Sequence, residues 1–270
     1  MSLKMIKVDK DLNDIPPSLN SRPETLAGND RTKARTTHSR RLELISAKKY
    51  IDHKNYNSRY KVKDIKDALD IIYNKKCAYC ESGIEDRHVE HYRPKSTYYW
   101  LAYSWDNLLI ACSTCNGKKL TKFATLAAKV RFRIGSKIIL NINSLSEGYN
   151  TAEQPKLVNP ETFDPSPYLV FDILGGISST HTNVDYTIET CKLNRTELKD
   201  KRKKLINDFR DALEAEITLL KNPDDQYNAA KVLFRDFVRK SRNKEEEFLA
   251  FRKFHIDNNG LELIINQLLP

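Results

Sequence analysis

The sequence predicts a mostly α-helical protein with a small α+β insert near its middle. Apolar residues recur at helical spacing in 61–75, where Ile65, Leu69 and Ile72 fall on one face. From Val184 onward the pattern is helical to the end of the chain. A cysteine-rich stretch with short strand patterns lies between these helical parts. Hydrophobic residues make up 40% and charged residues 30% of the chain, which excludes a wholly disordered protein.

We expect four segments along the chain. Residues 1–76 form an irregular and helical N-terminal segment that is suited to docking a partner. Residues 77–125 form a cysteine-rich module that holds the chemistry, and residues 126–182 add a strand and a hairpin that complete this domain. Residues 183–270 form a helical C-terminal part.

Each predicted element depends on a local signal. Prolines break helices, β-branched residues favour strands, and glycines permit tight turns. In chain order the elements are an irregular segment at 1–29, a basic helix at 30–52, strands at His88–Tyr92 and Asn107–Ala111, a short helix after Cys115, a strand at 137–142, a hairpin at 168–180 that turns at Gly175 and Gly176, a helix opened by Pro223, and a break at Gly260 between the last two helices.

The net charge of +10 suits a polyanionic partner. Residues 22–49 hold eight basic and three acidic side chains and residues 195–210 hold seven and three, whereas residues 77–122 hold six and five. The two basic flanks either follow a phosphate backbone or form solvated helix faces. No apolar run approaches the roughly 18 residues that span a bilayer, and the N-terminus does not resemble a signal peptide. We therefore expect a cytoplasmic protein with no membrane partner.

Four cysteines form two matched pairs, Cys77-x2-Cys80 and Cys112-x2-Cys115, separated by 31 residues. Each such turn delivers two thiolates to a tetrahedral zinc ion, and paired turns of this kind are a strong metal signal. The alternatives are reduced structural cysteines or a redox pair. We predict a structural zinc, because four thiolates leave no position for water. Cys191 stands apart and is expected to be a small buried residue.

Three spaced motifs around these cysteines resemble the signature of the HNH endonuclease family. They are the pair Glu90-His91, Asn107 followed by leucine, and a C-x2-C-N-x2-K sequence that contains Asn116. The three letters of the family name fall on His91, Asn107 and Asn116. The resemblance covers about 45 residues. It implies a ββα-metal (HNH/His-Me finger) motif with a four-cysteine zinc-knuckle site between helical N- and C-terminal flanks.

The resemblance also implies a role for each motif residue. His91 would be the general base, Glu90 and Asn116 would bind a catalytic Mg²⁺ or Mn²⁺, and Asn107 would orient the imidazole or brace its loop. The residue types fit phosphodiester hydrolysis, because a histidine with a near-neutral pKa can activate water and hard cations prefer oxygen ligands. Glu90 is a departure, since aspartate is common at this position, and it leaves the ion preference open.

Several further polar residues are candidates for substrate contacts. Lys118 and Lys119 are expected near phosphates at a helix start. Arg93 and Lys95 are expected to contact phosphate, with a solvated loop as the alternative. His88 is either a further metal or phosphate contact or an ordinary strand residue.

The loop at 97–105 is rich in aromatic residues. These rings either stack on unpaired bases or cover a small zinc module that lacks a core of its own. We favour the second interpretation.

Longer matches resemble a narrower group, the HNH proteins of Septu-type anti-phage systems and of some retron-linked defence cassettes (PtuB-like). They include E-H-Y-R-P-K-S, Y-W-L-A-Y-S-W-D-N-L-L and C-S-T-C-N-G-K-K, and extend over roughly residues 5–205. This resemblance implies a PtuA-like ATPase partner and antiviral defence by degradation of nucleic acid. We expect phosphodiester hydrolysis, mainly in DNA. The alternatives are an RNA substrate such as tRNA, and a non-catalytic zinc module that binds nucleic acid or a partner protein.

Overall fold

The computed structural model describes residues 7–20, 36–133 and 142–269. Within these ranges the protein is mostly helical, with two small antiparallel sheets of two strands each, which confirms the predicted fold class. In the part of the chain that the structure describes, no helix has the length and apolarity needed to cross a membrane. The strand predicted at 137–142 lies, apart from its last residue, outside the described residues.

Most of the regular elements lie where the helical and strand patterns predict them, but the short helices at Pro17–Asn20, Lys54–Asn57 and Ser146–Glu153 were not predicted from the sequence. The helices are α1 (Pro17–Asn20), α2 (Thr37–Ala47), α3 (Lys54–Asn57), α4 (Lys63–Tyr73), α5 (Ser113–Lys119), α6 (Ser146–Glu153), α7 (Thr182–Cys191), α8 (Thr196–Leu219), α9 (Pro223–Arg242), α10 (Leu249–Asp257) and α11 (Gly260–Leu268). The strands are β1 (His88–His91), β2 (Leu108–Ala111), β3 (Leu169–Phe171) and β4 (Ile177–Ser179).

Several helices begin or end at residues that favour such ends. α9 has Pro223 in its first turn, and the Asn222 side chain accepts a backbone N–H of that turn at 3.0 Å. Gly260 opens α11, so the predicted break between the last two helices is confirmed. α2 is shorter than the helix predicted at 30–52. The Thr36 side chain caps its start, and Lys48 adopts a left-handed conformation at its end.

β1, β2 and α5 form one ββα unit. The strands pair antiparallel, with Glu90 opposite Leu109. α5 follows β2 almost directly and packs against β1. The Cys112 Sγ accepts the Cys115 N–H at 3.4 Å at the start of α5. The second cysteine pair therefore lies at the junction of strand and helix.

β3 and β4 form the predicted hairpin, with Phe171 opposite Ile177. The turn requires glycine at Gly175, whose φ is 81°. A Cβ at this position would lie 2.1 Å from the Lys199 carbonyl oxygen. The hairpin turn is therefore in close contact with α8.

The aromatic loop before β2 is part of the core. Four of its five large rings have exposed fractions of 2% or less, namely Tyr98, Trp100, Tyr103 and Trp105, and Tyr99 is partly buried against the same core. Rings at this depth are not accessible for stacking on bases. The favoured interpretation, that the loop covers the small module, is confirmed.

The N-terminal segment reaches the same core through a buried ion pair. The Lys10 Nζ lies 2.6 Å from the Glu161 carboxylate and 2.5 Å from the Leu108 carbonyl oxygen. The Tyr73 hydroxyl donates to the same carboxylate at 2.6 Å. A segment predicted to be irregular is thus fixed against β2.

Three arginines of the basic flanks are buried, namely Arg40, Arg41 and Arg202. Arg40 pairs with Glu43 at 2.7 Å, and Arg41 donates to the Tyr103 carbonyl at 2.9 Å. Arg202 donates to two backbone carbonyls and is 3% exposed. For these three residues both interpretations of the flanks, a phosphate-binding surface and a solvated face, are wrong. The first half of the N-terminal flank lies outside the described residues.

Candidate functional site

The four paired cysteines converge on one point. Their Sγ atoms all lie within 4.8 Å of one another, and the Cys80 and Cys112 Sγ atoms are 3.9 Å apart. Zinc–sulfur bonds of about 2.3 Å in a tetrahedron place sulfurs about 3.8 Å apart, so the donor set fits zinc. All four cysteines are free thiols, and Cys77, Cys80 and Cys115 are buried. The predicted cluster is therefore present and can hold zinc.

Backbone bonds position the first cysteine pair against the sheet. The Cys77 N–H donates to the Ser82 carbonyl, and the Glu81 N–H donates back to the Cys77 carbonyl. The Ala78 N–H donates to the Ile110 carbonyl in β2 at 2.9 Å. This turn and the start of α5 are thereby held on the same side of the ββα unit.

Arg195 is a neighbour of this cluster that the sequence did not reveal. Its guanidinium nitrogens lie 3.5 Å from the Cys115 Sγ and 3.8 Å from both the Cys80 and Cys112 Sγ atoms. In the sequence Arg195 is one of seven basic residues in a charged flank, and no spacing relates it to the cysteines. Only the packing of the C-terminal helices on the ββα unit brings it there.

A cleft of about 630 Å³ opens beside β1 and contains most of the predicted catalytic residues. His88, Glu90, His91 and Asn116 line one side of it. Lysines from the segment between α2 and α4 and from α4 itself also line it, namely Lys49, Lys61 and Lys66. These lysines lie outside every motif, so the sequence offered no signal for them.

His91 is 6% exposed and held in one orientation. Its Nε2 lies 3.0 Å from the Ala102 carbonyl oxygen, and its ring packs edge-on against Tyr60 at 4.5 Å between centroids. Because a carbonyl only accepts, this bond places the proton on Nε2 and leaves Nδ1 as an acceptor. Burial lowers the pKa of His91 to about 3, well below the near-neutral value expected from the sequence. The ring is therefore neutral at physiological pH.

Glu90 forms a buried ion pair with Lys119. The Lys119 Nζ lies 2.6 Å from the Glu90 Oε1 and 2.7 Å from the His91 carbonyl oxygen. Burial raises the pKa of Glu90, and the neighbouring ammonium opposes that shift. Lys119 has no exposed surface, so its predicted contact with phosphate is wrong. α5 turns this lysine inward onto β1, where a carboxylate neutralises it.

Asn107 is fully buried, and its side chain forms hydrogen bonds to backbone groups of the described residues. Its Oδ1 accepts the Arg93 N–H at 2.8 Å, and its Nδ2 donates to the Arg93 and Leu101 carbonyls. These bonds span the loop that follows His91. The geometry thus corresponds to bracing the loop, and the catalytic relevance of Asn107 stays a prediction.

Arg93 is also fully buried, and its predicted contact with phosphate is wrong. Its Nε lies 2.9 Å from the Glu153 carboxylate, and its Nη2 donates to the Asn150 side chain at 2.7 Å. Both partners lie on α6. Arg93 therefore fastens the loop after β1 to α6 and cannot reach a ligand in the cleft.

Two predicted basic contacts remain, and they differ in position. Lys95 lines the cleft, where its Nζ bonds to the Tyr60 hydroxyl at 3.0 Å and lies 4.0 Å from the centre of the Tyr50 ring. Burial lowers the pKa of Lys95 to about 8. Lys118 is exposed on α5 and does not line the cleft.

Comparison with known proteins supports the assignment of this region. Residues 77–122 match the family model for HNH endonucleases. The chain is 31% identical over 188 residues to a protein named Septu protein PtuB from Bacillus mycoides (strain KBAB4). It is 45% identical over 71 residues to a Septu protein PtuB from Bacillus thuringiensis.

These matches cover part of each protein. The first spans 62% of this chain and 60% of the relative, and the second spans 25% and 28%. The family-model match contains both cysteine pairs and every residue of the predicted catalytic set. The chain therefore carries an HNH endonuclease domain and is similar, over 62% of its length, to a Septu protein PtuB.

Proposed function

We propose that this protein is a metal-dependent HNH endonuclease that hydrolyses phosphodiester bonds in nucleic acid. The observation that carries the proposal is the shared position of Glu90, His91 and Asn116 along one cleft. An imidazole, a carboxylate and an amide thus border one cleft, which supports the roles of a base and two oxygen ligands. This is the set of groups that metal-assisted hydrolysis requires.

His91 is suited to take the proton from the attacking water. The Ala102 carbonyl holds the ring by Nε2, so Nδ1 is the free acceptor. The fixed ring also needs no reorientation when substrate binds, which lowers the entropic part of the barrier.

Glu90 and Asn116 offer a carboxylate and an amide oxygen, which fit a hard cation such as Mg²⁺ or Mn²⁺. Such an ion, when bound, stabilises the negative charge that develops on the phosphate. Lys119 fixes the Glu90 carboxylate from the protein interior. The carboxylate is thus held in place before any ion binds.

The lysines of the cleft bind the phosphates of the substrate. Lys49, Lys61, Lys66 and Lys95 line the same cleft as His91. No carboxylate lies within ion-pair distance of these four amines among the described residues, so their charge is available to phosphates. Phosphate contacts carry little base specificity. We propose DNA as the main substrate, with RNA as the second candidate.

The similarity to Septu proteins PtuB supports a role in defence. We propose that the protein is the effector of a bacterial anti-phage system and works in the cytoplasm with a PtuA-like ATPase. The partner would control when the cleft receives nucleic acid.

A cleavage assay tests the catalytic part of this proposal. Plasmid DNA and tRNA are incubated with the chain and Mg²⁺ or Mn²⁺, with and without a PtuA-like ATPase. We expect His91→Ala to reduce cleavage by about 10²- to 10⁴-fold, because it removes the general base. Equal cleavage by wild type and His91→Ala in the presence of the ATPase would contradict the role of His91. Cleavage of tRNA alone would select RNA as the substrate.

A further inference from the structure

We propose that Arg195 is a functional component of the zinc centre, which it joins to the C-terminal helices. Its guanidinium would stabilise the thiolates and slow the release of the metal. This inference concerns the metal centre alone and does not depend on the proposed nuclease activity.

The Arg195 guanidinium contacts three of the four cysteine sulfurs. Nη1 lies 3.5 Å from the Cys115 Sγ, and Nη2 lies 3.8 Å from the Cys80 and Cys112 Sγ atoms. Arginine presents its donors in a rigid planar fork, so both nitrogens can face the cluster at once. The Arg195 side chain is only 15% exposed in this position.

The charge of the centre explains why a cation belongs there. Four thiolates and one Zn²⁺ carry a net charge of about −2. Burying such a charge is costly unless a counter-charge or hydrogen bonds compensate it. Arg195 is the cation found in contact with these sulfurs within the described ranges. It therefore supplies both a positive charge and N–H donors to the metal ligands.

Arg195 lies between two C-terminal helices, so its contact with the cysteines also connects those helices to the cluster. Arg195 directly precedes α8, and its Nη1 also lies 3.4 Å from the carbonyl oxygens of Cys191 and Lys192 at the end of α7. α7 packs on α5, the helix that carries Cys115. One side chain thus links the corner between α7 and α8 to the thiolates. Loss of the metal should loosen that corner.

Zinc retention in the full-length protein tests the proposal. Zinc affinity and the rate of zinc release to a coloured chelator are measured for wild type, Arg195→Met and Arg195→Lys, with circular dichroism confirming that each is folded. Removal of an outer contact to metal ligands typically reduces affinity by about 10- to 100-fold, and we expect Arg195→Met to fall in that range. Arg195→Lys should lie between the two, because it keeps the charge and loses the fork.

Arg202→Met is the matched control. Arg202 lies on α8, is buried, and donates to the Gly175 and Leu193 carbonyls rather than to sulfur. We expect it to lower the melting temperature while zinc release stays within about twofold of wild type at temperatures below unfolding.

Two results would overturn the proposal. One is release of zinc from Arg195→Met at the wild-type rate. The other is release from Arg202→Met as fast as from Arg195→Met, which would show general loosening. If Arg195→Met does not fold, Arg195→Lys decides: faster release than wild type supports the proposal, and an unchanged rate contradicts it. Hydrogen exchange adds a readout, since zinc removal from wild type should increase exchange at residues 191–196.

Discussion

The two sides of the ββα unit differ in how far they are open to solvent. On one side four cysteines face one another, and three of them are buried. On the other side Glu90 and His91 are buried in the protein, yet they border a cleft of about 630 Å³. A closed set of four ligands stabilises a fold, whereas chemistry needs an open position for water and substrate. The same small unit thus keeps the closed cysteine cluster apart from the open cleft.

The two sides have one feature in common, a cationic side chain that contacts acidic groups and is fully buried on the cleft side and mostly buried on the cysteine side. Arg195 lies against the thiolates, and Lys119 lies against Glu90. Arg195 comes from the C-terminal helices, whereas Lys119 comes from the ββα unit itself. Changes on the metal side should therefore affect folding, and changes on the cleft side should affect cleavage with less effect on folding.

The largest expected effect comes from the metal side. Cys77→Ser should abolish zinc binding and unfold the module, because the apparent binding free energy of structural zinc sites is about 10–16 kcal/mol. Elemental analysis should find about one zinc per wild-type chain and far less in the variant. Cys191→Ala is the control, since Cys191 is fully buried but lies outside the cluster. A folded, zinc-free Cys77→Ser protein would refute the structural role.

A smaller effect is expected from the ion pair behind the cleft. Lys119→Met should lower the free energy of unfolding by about 3–5 kcal/mol, because it leaves the Glu90 carboxylate buried without its partner. Denaturant titration of the zinc-loaded protein measures this. The double variant Glu90→Gln/Lys119→Met should recover much of the stability and still fail to cleave.

Lys118→Met controls for the loss of a lysine from α5, since Lys118 is exposed. It should remain close to wild type in stability. A double variant that both regains stability and cleaves at the wild-type rate would show that Glu90 has no part in catalysis.

The smallest effect concerns substrate binding in the cleft. In a His91→Ala background, Lys61→Gln/Lys66→Gln should weaken DNA binding and reduce the salt dependence. Each lost phosphate contact removes about 0.9 from the slope of log K against log salt, so the slope should fall by about 1.8. Fluorescence anisotropy at several salt concentrations measures it.

Lys54→Gln/Lys63→Gln removes the same charge from nearby positions that do not line the cleft. Its binding should remain near that of the His91→Ala parent. Equal losses in both double variants would indicate an effect of net charge, and the cleft would not be the binding surface.

The features best predicted from the sequence are local ones. The cysteine pairs, Glu90-His91 and the two strands occupy neighbouring positions in the chain, and short-range spacing determines how they meet. The hairpin and the helix opened by Pro223 follow from turn and capping preferences in the same way. Their positions in the structure agree with those predicted, apart from small shifts at the ends.

The wrong predictions share another cause. Arg93, Lys119, Arg40 and Arg41 were expected at or near a surface because they are charged. Each is buried beside a carboxylate or a backbone acceptor, which is distant in the chain for Arg93, Lys119 and Arg41 and one turn along the same helix for Arg40. Burial and pairing depend on tertiary packing, which a single sequence does not display. For the same reason the lysines of the cleft and Arg195 were missed as members of these sites.

The contacts of Arg93 and Lys10 bear on how this domain can be transplanted. The loop after β1 is fastened to Glu153 through Arg93, and β2 is fastened to Lys10. Both partners lie outside residues 77–122, the stretch that carries the family signature. An excised 77–122 peptide would leave Arg93 without its carboxylate partner and β2 without its contact to Lys10. A fusion protein that uses this domain therefore needs the surrounding helices as well. The family signature does not define the boundaries of the folded domain.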